Sequence, residues 1–212
     1  MFKKSEKPKS EKLTSKNSKW SPRYSHGGAL RNLRSGRRAR PIRSHAPIHL
    51  VLKANRECLA GGFRTTRKFL LIHQLRDRYA KKFFIKIEQM SVQGDHIHII
   101  IRTTRRSCLQ NFLRVFSGQI AQRFESEGLL RLMQTRRIQS PRVTGTPKSR
   151  LVHERRKLWK HRPFTRIVLG RRALVTLENY VQLNEREAQG VIPYRKERLK
   201  GLRAGEWRRL WG

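Results

Sequence analysis

The stretch from Ser91 to Ile101 constrains the fold most, because it combines an apolar, β-branched run with two histidines spaced two residues apart. Such a run is typical of a β-strand, in which side chains at positions i and i+2 project from the same face. His96 and His98 are therefore predicted side by side on one face. Ile97 and Ile99 then lie on the opposite face, which suits a hydrophobic core. Two neighbouring imidazoles are half of a divalent-metal site.

The charge of the chain indicates its partner. Among 212 residues, 51 are Lys or Arg and only 14 are Asp or Glu, which gives a formal net charge of +37. An excess of this size predicts a polyanionic partner, and nucleic acid fits best because each neutralised phosphate releases counterions. A membrane surface is the weaker candidate, since no basic amphipathic helix with clustered aromatic residues is evident.

Targeting and redox signals are few. No apolar run is long enough to span a bilayer, and the first residues lack the apolar region of a signal peptide. We therefore expect a cytoplasmic, nucleoid-associated protein without a membrane partner. Cys58 and Cys108 have no metal-binding spacing and are interpreted as ordinary intracellular thiols.

Composition divides the chain into three parts. Residues 1–44 are rich in Lys, Arg, Ser and Pro without apolar periodicity, so they are predicted to form a disordered basic arm that binds nucleic acid. Residues 45–190 are predicted to form one domain, and residues 191–212 a basic C-terminal tail.

Within the domain, periodicity predicts a strand, a helix, two strands, a helix, a strand and a helix. This is the split β-α-β pattern of an α+β, ferredoxin-like fold with an antiparallel sheet and its first two helices on one face. The face carrying the histidines would then be open to nucleic acid. The predicted elements are strand 46–53, a helix capped by Thr65 or Thr66 and ending near Lys81, strand 83–90, the His-x-His strand, a helix after Ser107 to about Glu127, an irregular basic segment 128–163, strand 165–169 and helix 172–188.

The last predicted helix adds two candidate groups. Tyr180 and Asn184 are four residues apart and so share one helical face. A tyrosine phenol can attack phosphorus covalently, and an amide oxygen can join two imidazoles as a third metal ligand. The metal would polarise a phosphate oxygen during an in-line displacement. The simpler interpretations remain open: Tyr180 as a core or boundary aromatic residue, and Asn184 as a surface or capping residue.

The segment Ser91-Val92-Gln93-Gly94-Asp95-His96-Ile97-His98 resembles the HUH motif (His, hydrophobic, His) of single-tyrosine transposases. The helix around Asn179-Tyr180-Val181-Gln182-Leu183-Asn184 resembles the tyrosine helix of that family. The chain is most similar to the REP-associated tyrosine transposases and their chromosomal relatives in bacteria, over roughly residues 45–190.

The resemblance implies an HUH fold and cleavage of single-stranded DNA, often beside a hairpin, in DNA transposition or repeat-element maintenance. It implies a 5′-phosphotyrosine intermediate and Mg²⁺ or Mn²⁺ as cofactor. Tyr180 would be the nucleophile, and His96, His98 and Asn184 the metal ligands. The sequence leaves open whether the protein is a monomer or a homodimer.

Two other functions compete with this interpretation. A domesticated or inactive nucleic-acid-binding protein of the same fold would also suit the charge and the tails, although it has no need of His96, His98 and Tyr180 together. A zinc hydrolase would require a further His, Glu or Asp ligand. Asp95 is expected to point to the wrong face of the strand for that role.

Overall fold

The structure of the protein is a computed structural model that describes residues 24–28, 39–43, 45–131, 136–138, 150–152 and 157–194. Over these residues the chain forms strands and helices in the order that periodicity predicted, with short strands added. The elements are β1 (Ser25–His26), β2 (Ile48–Lys53), α1 (Thr66–Lys82), β3 (Lys86–Val92), β4 (His96–Arg102), α2 (Arg106–Ser126), β5 (Arg136–Ile138), β6 (Arg150–Val152), β7 (Phe164–Ile167) and α3 (Arg171–Ala188).

The main sheet has the strand order β1-β7-β2-β4-β3, and every neighbouring pair is antiparallel. When the short β1 is left aside, β2 lies between β7 and β4, and β3 is at an edge of the sheet. This arrangement of β2, β3, β4 and β7 around two crossover helices is the ferredoxin-like fold. The predicted α+β fold class is confirmed.

The hydrophobic core lies between this sheet and the helix pair α1 and α2. Ile97 and Ile99 of β4 are fully buried on this side, as strand periodicity predicted. The α2 stripe contributes Phe112 and Phe116, whose rings stack with centroids 5.2 Å apart. Alternation along β4 therefore turns the histidines away from the core, toward the other face of the sheet.

Helix α3 packs on that other face, mainly over β3 and also over β4. Its Val181 and Leu183 side chains are buried, so the helix has an apolar side that requires a partner. The expectation that the histidine face is open is therefore wrong for the half of the sheet that α3 covers. The helix brings Tyr180 to the strand that carries the histidines.

Parts of the predicted disordered arm belong to the fold. Ser25–His26 pairs with β7 as an edge strand, and Arg40 donates hydrogen bonds to the Pro163 carbonyl (3.0 Å) and the Thr165 hydroxyl (2.5 Å). Backbone pairing and arginine hydrogen bonds need no apolar periodicity, so composition did not reveal them. Residues 1–23, 29–38 and 44 of the arm, and residues 195–212 of the predicted tail, lie outside the described residues.

Smaller differences concern element boundaries. Within the basic segment 128–163, predicted to be irregular, β5 and β6 form a two-stranded antiparallel sheet. Helix α2 begins at Arg106 instead of after Ser107, and β3 runs from Lys86 to Val92 with a register shift between Ile87 and Gln89. Among the described residues, no helix is long and apolar enough to cross a membrane.

Candidate active site

The two histidines of β4 lie together beneath α3. Their rings meet edge to face, with centroids 4.8 Å apart and planes at 84°. His98 is buried, whereas about a third of the His96 side chain is exposed. The pair therefore has one deep and one accessible imidazole, which allows a ligand to approach from the His96 side.

His96 is held by Asp95, the residue that precedes β4. Its Nδ1 lies 2.6 Å from Asp95 Oδ1, and an ionised carboxylate only accepts hydrogen bonds, so Nδ1 carries the proton. Burial alone would raise the pKa of Asp95, but the hydrogen bonds from His96 and from Arg56 Nε (2.7 Å) outweigh it and lower that pKa. Asp95 is therefore a carboxylate that orients the His96 ring through a charge-assisted bond.

The expectation that Asp95 points away from His96 is wrong. Residues i and i+1 project to opposite faces only within a strand, and β4 begins at His96 itself. Asp95 lies in the bend before the strand, where its side chain can reach the neighbouring ring.

His98 is held by a residue that sequence reasoning did not select. Its Nδ1 lies 3.0 Å from Nε2 of His49 on β2, and the two rings are stacked with centroids 5.2 Å apart. His49 is only 3% exposed. Burial, with a smaller contribution from the charge of Arg166, lowers the pKa of His49 to about 4. His49 is therefore neutral at pH 7 and can form a hydrogen bond with His98 without adding charge.

Tyr180 reaches the histidines from α3, and Asn184 lies buried on the same helix. The Tyr180 ring meets the His98 ring edge to face at a centroid distance of 5.5 Å. Asn184, one turn further along, is 2% exposed, and its Nδ2 has no hydrogen-bond partner within the described part of the chain. The structure thus brings together three of the predicted site residues, His96, His98 and Tyr180, in ring contact, and places Asn184 buried on the same helix.

A network of hydrogen bonds fixes this part of α3 to β3. Glu185 Oε2 accepts from the backbone N–H of Val92 (3.2 Å), and its Oε1 accepts from Arg64 (3.0 Å). Arg64 also donates to the Val92 carbonyl (2.9 Å). Gln93 Nε2 donates to the backbone oxygen of Asn184 (2.7 Å). These bonds position the turn of α3 that carries Tyr180 and Asn184.

The hydrogen bonds of the histidines leave one nitrogen of each ring for a metal. Asp95 engages Nδ1 of His96 and His49 engages Nδ1 of His98, so Nε2 is the atom of each ring that would bind a metal. This is the usual arrangement of metal-binding histidines, whose second nitrogen is fixed by a carboxylate or another hydrogen-bonding group. Within the described residues, no group of three or more His, Cys, Asp or Glu residues could hold a metal. A third protein ligand from the described residues would therefore be of another type, such as an amide.

Comparison with known proteins yields one family and several solved structures. Residues 43–140 match the family described as "Transposase IS200 like". This range includes His49, Asp95, His96 and His98 and ends before α3. No curated protein matches the chain.

Two of the similar structures are transposases by description. One is a REP-associated tyrosine transposase bound to a REP hairpin, with 12% identity, a TM-score of 0.49, and coverage of 74% of this chain and 76% of that one. The other is a protein from Deinococcus radiodurans assigned as a transposase, with 12% identity, a TM-score of 0.37, and coverage of 71% and 98%. Structural similarity at these TM-scores and identities does not indicate a shared function.

The family match contains the HUH segment, and the strand order around it is ferredoxin-like. The resemblance to single-tyrosine transposases is thus confirmed as a similarity, because the HUH segment lies within residues 43–140, which match the IS200-like transposase family.

Proposed function

We propose that this protein is a metal-dependent nickase and strand transferase for single-stranded or hairpin DNA, acting in DNA transposition or repeat-element maintenance. The observation that supports this best is the packing of Tyr180 against His98, with each histidine held through Nδ1. A protein that only binds nucleic acid has no need of a phenol beside two oriented imidazoles.

Tyr180 is the proposed nucleophile. Its phenolic oxygen forms a bond to phosphorus as the bond from phosphorus to the 3′ oxygen breaks. The phenol loses one proton and the departing 3′ oxygen gains one, which leaves a 5′-phosphotyrosine and a free 3′-OH. Strand transfer reverses this step with a different 3′-OH, so the phosphodiester energy is retained in the protein–DNA bond.

His96 and His98 are the proposed metal ligands, through Nε2, and the side-chain oxygen of Asn184 is the proposed third. Mg²⁺ or Mn²⁺ bound there would supply Lewis acidity toward a phosphate oxygen. Asp95 and His49 keep the imidazoles oriented. Glu185 holds α3 so that the phenol stays close to the histidines.

The test is trapping of the covalent intermediate. Wild-type protein is incubated with labelled single-stranded hairpin DNA and Mn²⁺, and denaturing electrophoresis then detects a protein–DNA adduct. Tyr180→Phe keeps the ring packing on His98 but lacks the attacking oxygen, so it should bind DNA normally and form no adduct.

A matched control is Tyr194→Phe, because Tyr194 is exposed beyond the end of α3. That variant should form the adduct at the wild-type rate. An adduct that persists in Tyr180→Phe would reject the assignment. DNA binding without any adduct in the wild-type protein would favour the inactive, nucleic-acid-binding alternative.

A further inference from the structure

Phe84, just after α1, has an unusual backbone conformation for its residue type. Its φ is +53°, in the left-handed region that bulky side chains rarely adopt. The hydrogen bonds Ile85 N–H to Ala80 O (2.9 Å) and Phe84 N–H to Lys81 O (3.3 Å) define a Schellman motif. Phe84 occupies the position of this motif where glycine is the usual residue.

The other two helices show what the fold normally places there. Helix α2 ends with Gly128 at φ +65°, and α3 ends with Gly190 at φ +76°. Each helix end is closed by a backbone bond of the same type, Leu129 N–H to Phe124 O and Val191 N–H to Arg186 O. The phenylalanine is therefore a departure within this chain, in a conformation that disfavours a Cβ.

Packing does not explain the phenylalanine either. Its side chain is 84% exposed, the largest exposure among the large hydrophobic residues that the structure describes as exposed. Phe84 thus has an unfavourable conformation without gaining burial. Strained residues of this type cluster at sites of function.

The surroundings of Phe84 are cationic. Lys81, Lys82 and Lys86 are all exposed, and no acidic residue occurs from Tyr79 to Ile87. Lys86 lies opposite Arg102 at the end of the β3–β4 hairpin. An exposed aromatic ring among lysines is the combination that proteins use to bind single-stranded nucleic acid, with phosphates on the cations and a base on the ring.

This surface is separate from the candidate active site. Val92 lies opposite Ile97 at the histidine end of the hairpin, whereas Lys86 lies opposite Arg102 at the other end. Strands of this length place the two ends roughly 20 Å apart. A strand of DNA that reaches both ends would be held at two points along the same hairpin.

We propose that Phe84 is a stacking platform for an unpaired base of single-stranded DNA, whose phosphates contact Lys81, Lys82 and Lys86. The inference deepens the proposed function by locating a second contact for the same substrate. It depends on nucleic-acid binding but not on cleavage by Tyr180.

The experiment compares binding of a labelled thymidine oligonucleotide with binding of an abasic strand of equal length. Phe84→Gly should bind the thymidine strand about 5- to 150-fold more weakly, the range expected when one stacked base is lost. It should bind the abasic strand like the wild type, because phosphates alone do not use the ring. Phe84→Trp should restore affinity for the thymidine strand.

Stability and a matched control complete the test. Phe84→Gly should unfold at the wild-type temperature or up to about 4 °C above it, since glycine relieves the left-handed conformation. The control is Leu70→Ala, which truncates another exposed apolar residue of α1 and should not change binding of either strand. The amount of Tyr180 adduct at saturating DNA should be unchanged in Phe84→Gly.

Several results would overturn the proposal. One is equal weakening of Phe84→Gly for thymidine and abasic strands, or no weakening at all. A clear loss of thermal stability would show that the ring packs within the protein. Self-association of the wild type that is lost in Phe84→Gly would assign the ring to a contact between copies. A wild type that binds neither strand would overturn both this inference and the proposed function.

Discussion

Acidification should destabilise the protein through His49. The folded-state pKa of this residue is lowered to about 4 from an ordinary value of 6.5, because the ring is buried between β2 and the His98 ring. Above pH 6.5 His49 is neutral in both the folded and the unfolded chain. As the pH falls below 6.5, the unfolded chain takes up a proton that the folded protein does not bind, so stability falls until about pH 4.

The magnitude follows from the two pKa values. Each unit of difference corresponds to about 1.4 kcal/mol. Between pH 7 and pH 5 the loss attributable to His49 is about 2 kcal/mol, a large share of the stability of a typical domain.

The assay is urea unfolding at pH 7 and pH 5 with a chelator present, for wild type and for His49→Gln. Glutamine keeps a hydrogen-bonding amide near His98 but does not titrate. The variant should lose about 2 kcal/mol less than the wild type over this interval. His45→Gln, at an exposed position, controls for the substitution itself. Equal losses in wild type and His49→Gln would refute the reasoning, whatever the absolute stabilities.

Three further predictions concern the site and the arm. Asp95→Asn should weaken Mn²⁺ binding about 10- to 100-fold, because it removes the carboxylate that orients His96. Calorimetry measures this affinity, and an unchanged value would contradict the orienting role of Asp95. Glu185→Ala should lower the free energy of unfolding by about 1–3 kcal/mol. Gln189→Ala, which removes only an exposed bond to Glu185, should change it little. Equal losses of stability in the two variants would argue against the role of Glu185 in holding α3. Deleting residues 1–23, the first part of the arm, should flatten the salt dependence of DNA binding without changing sequence preference, because its lysines and Arg23 are expected to meet phosphates. Lost preference at an unchanged salt slope would show that the arm reads sequence.

The long elements of the fold were predictable because their hydrophobic periodicity is strong. The α1 and α2 stripes and the β4 alternation specify which faces are buried, and four strands with two crossover helices leave few arrangements. Strand β1 could not be found in this way. It is two residues long, and a period cannot be recognised over so short a segment.

The candidate site was predictable only in part. Spacing alone placed His96 beside His98 and Tyr180 one turn from Asn184. The His49 contact depends on the register of β2 against β4, which pairs Val51 with His98 and leaves His49 diagonal to it. Register is specified by the packed sheet and not by a local pattern. The alternation of His49 with Ile48 and Leu50 was a usable sign that its ring shares the histidine face.

The position of α3 at the end of the domain has a consequence for synthesis. A polypeptide is made from its N-terminus, so a chain interrupted between residues 132 and 156 contains His49, Asp95, His96 and His98 but lacks β7 and α3. Such a fragment has the imidazoles without the phenol proposed to attack DNA. Domains generally fold as units, and distant pairings such as Gln93 with Asn184 are expected to form late. Truncated or partly folded molecules are therefore expected to lack the proposed strand-cleaving activity, because Tyr180 is absent from them or not yet packed against His98.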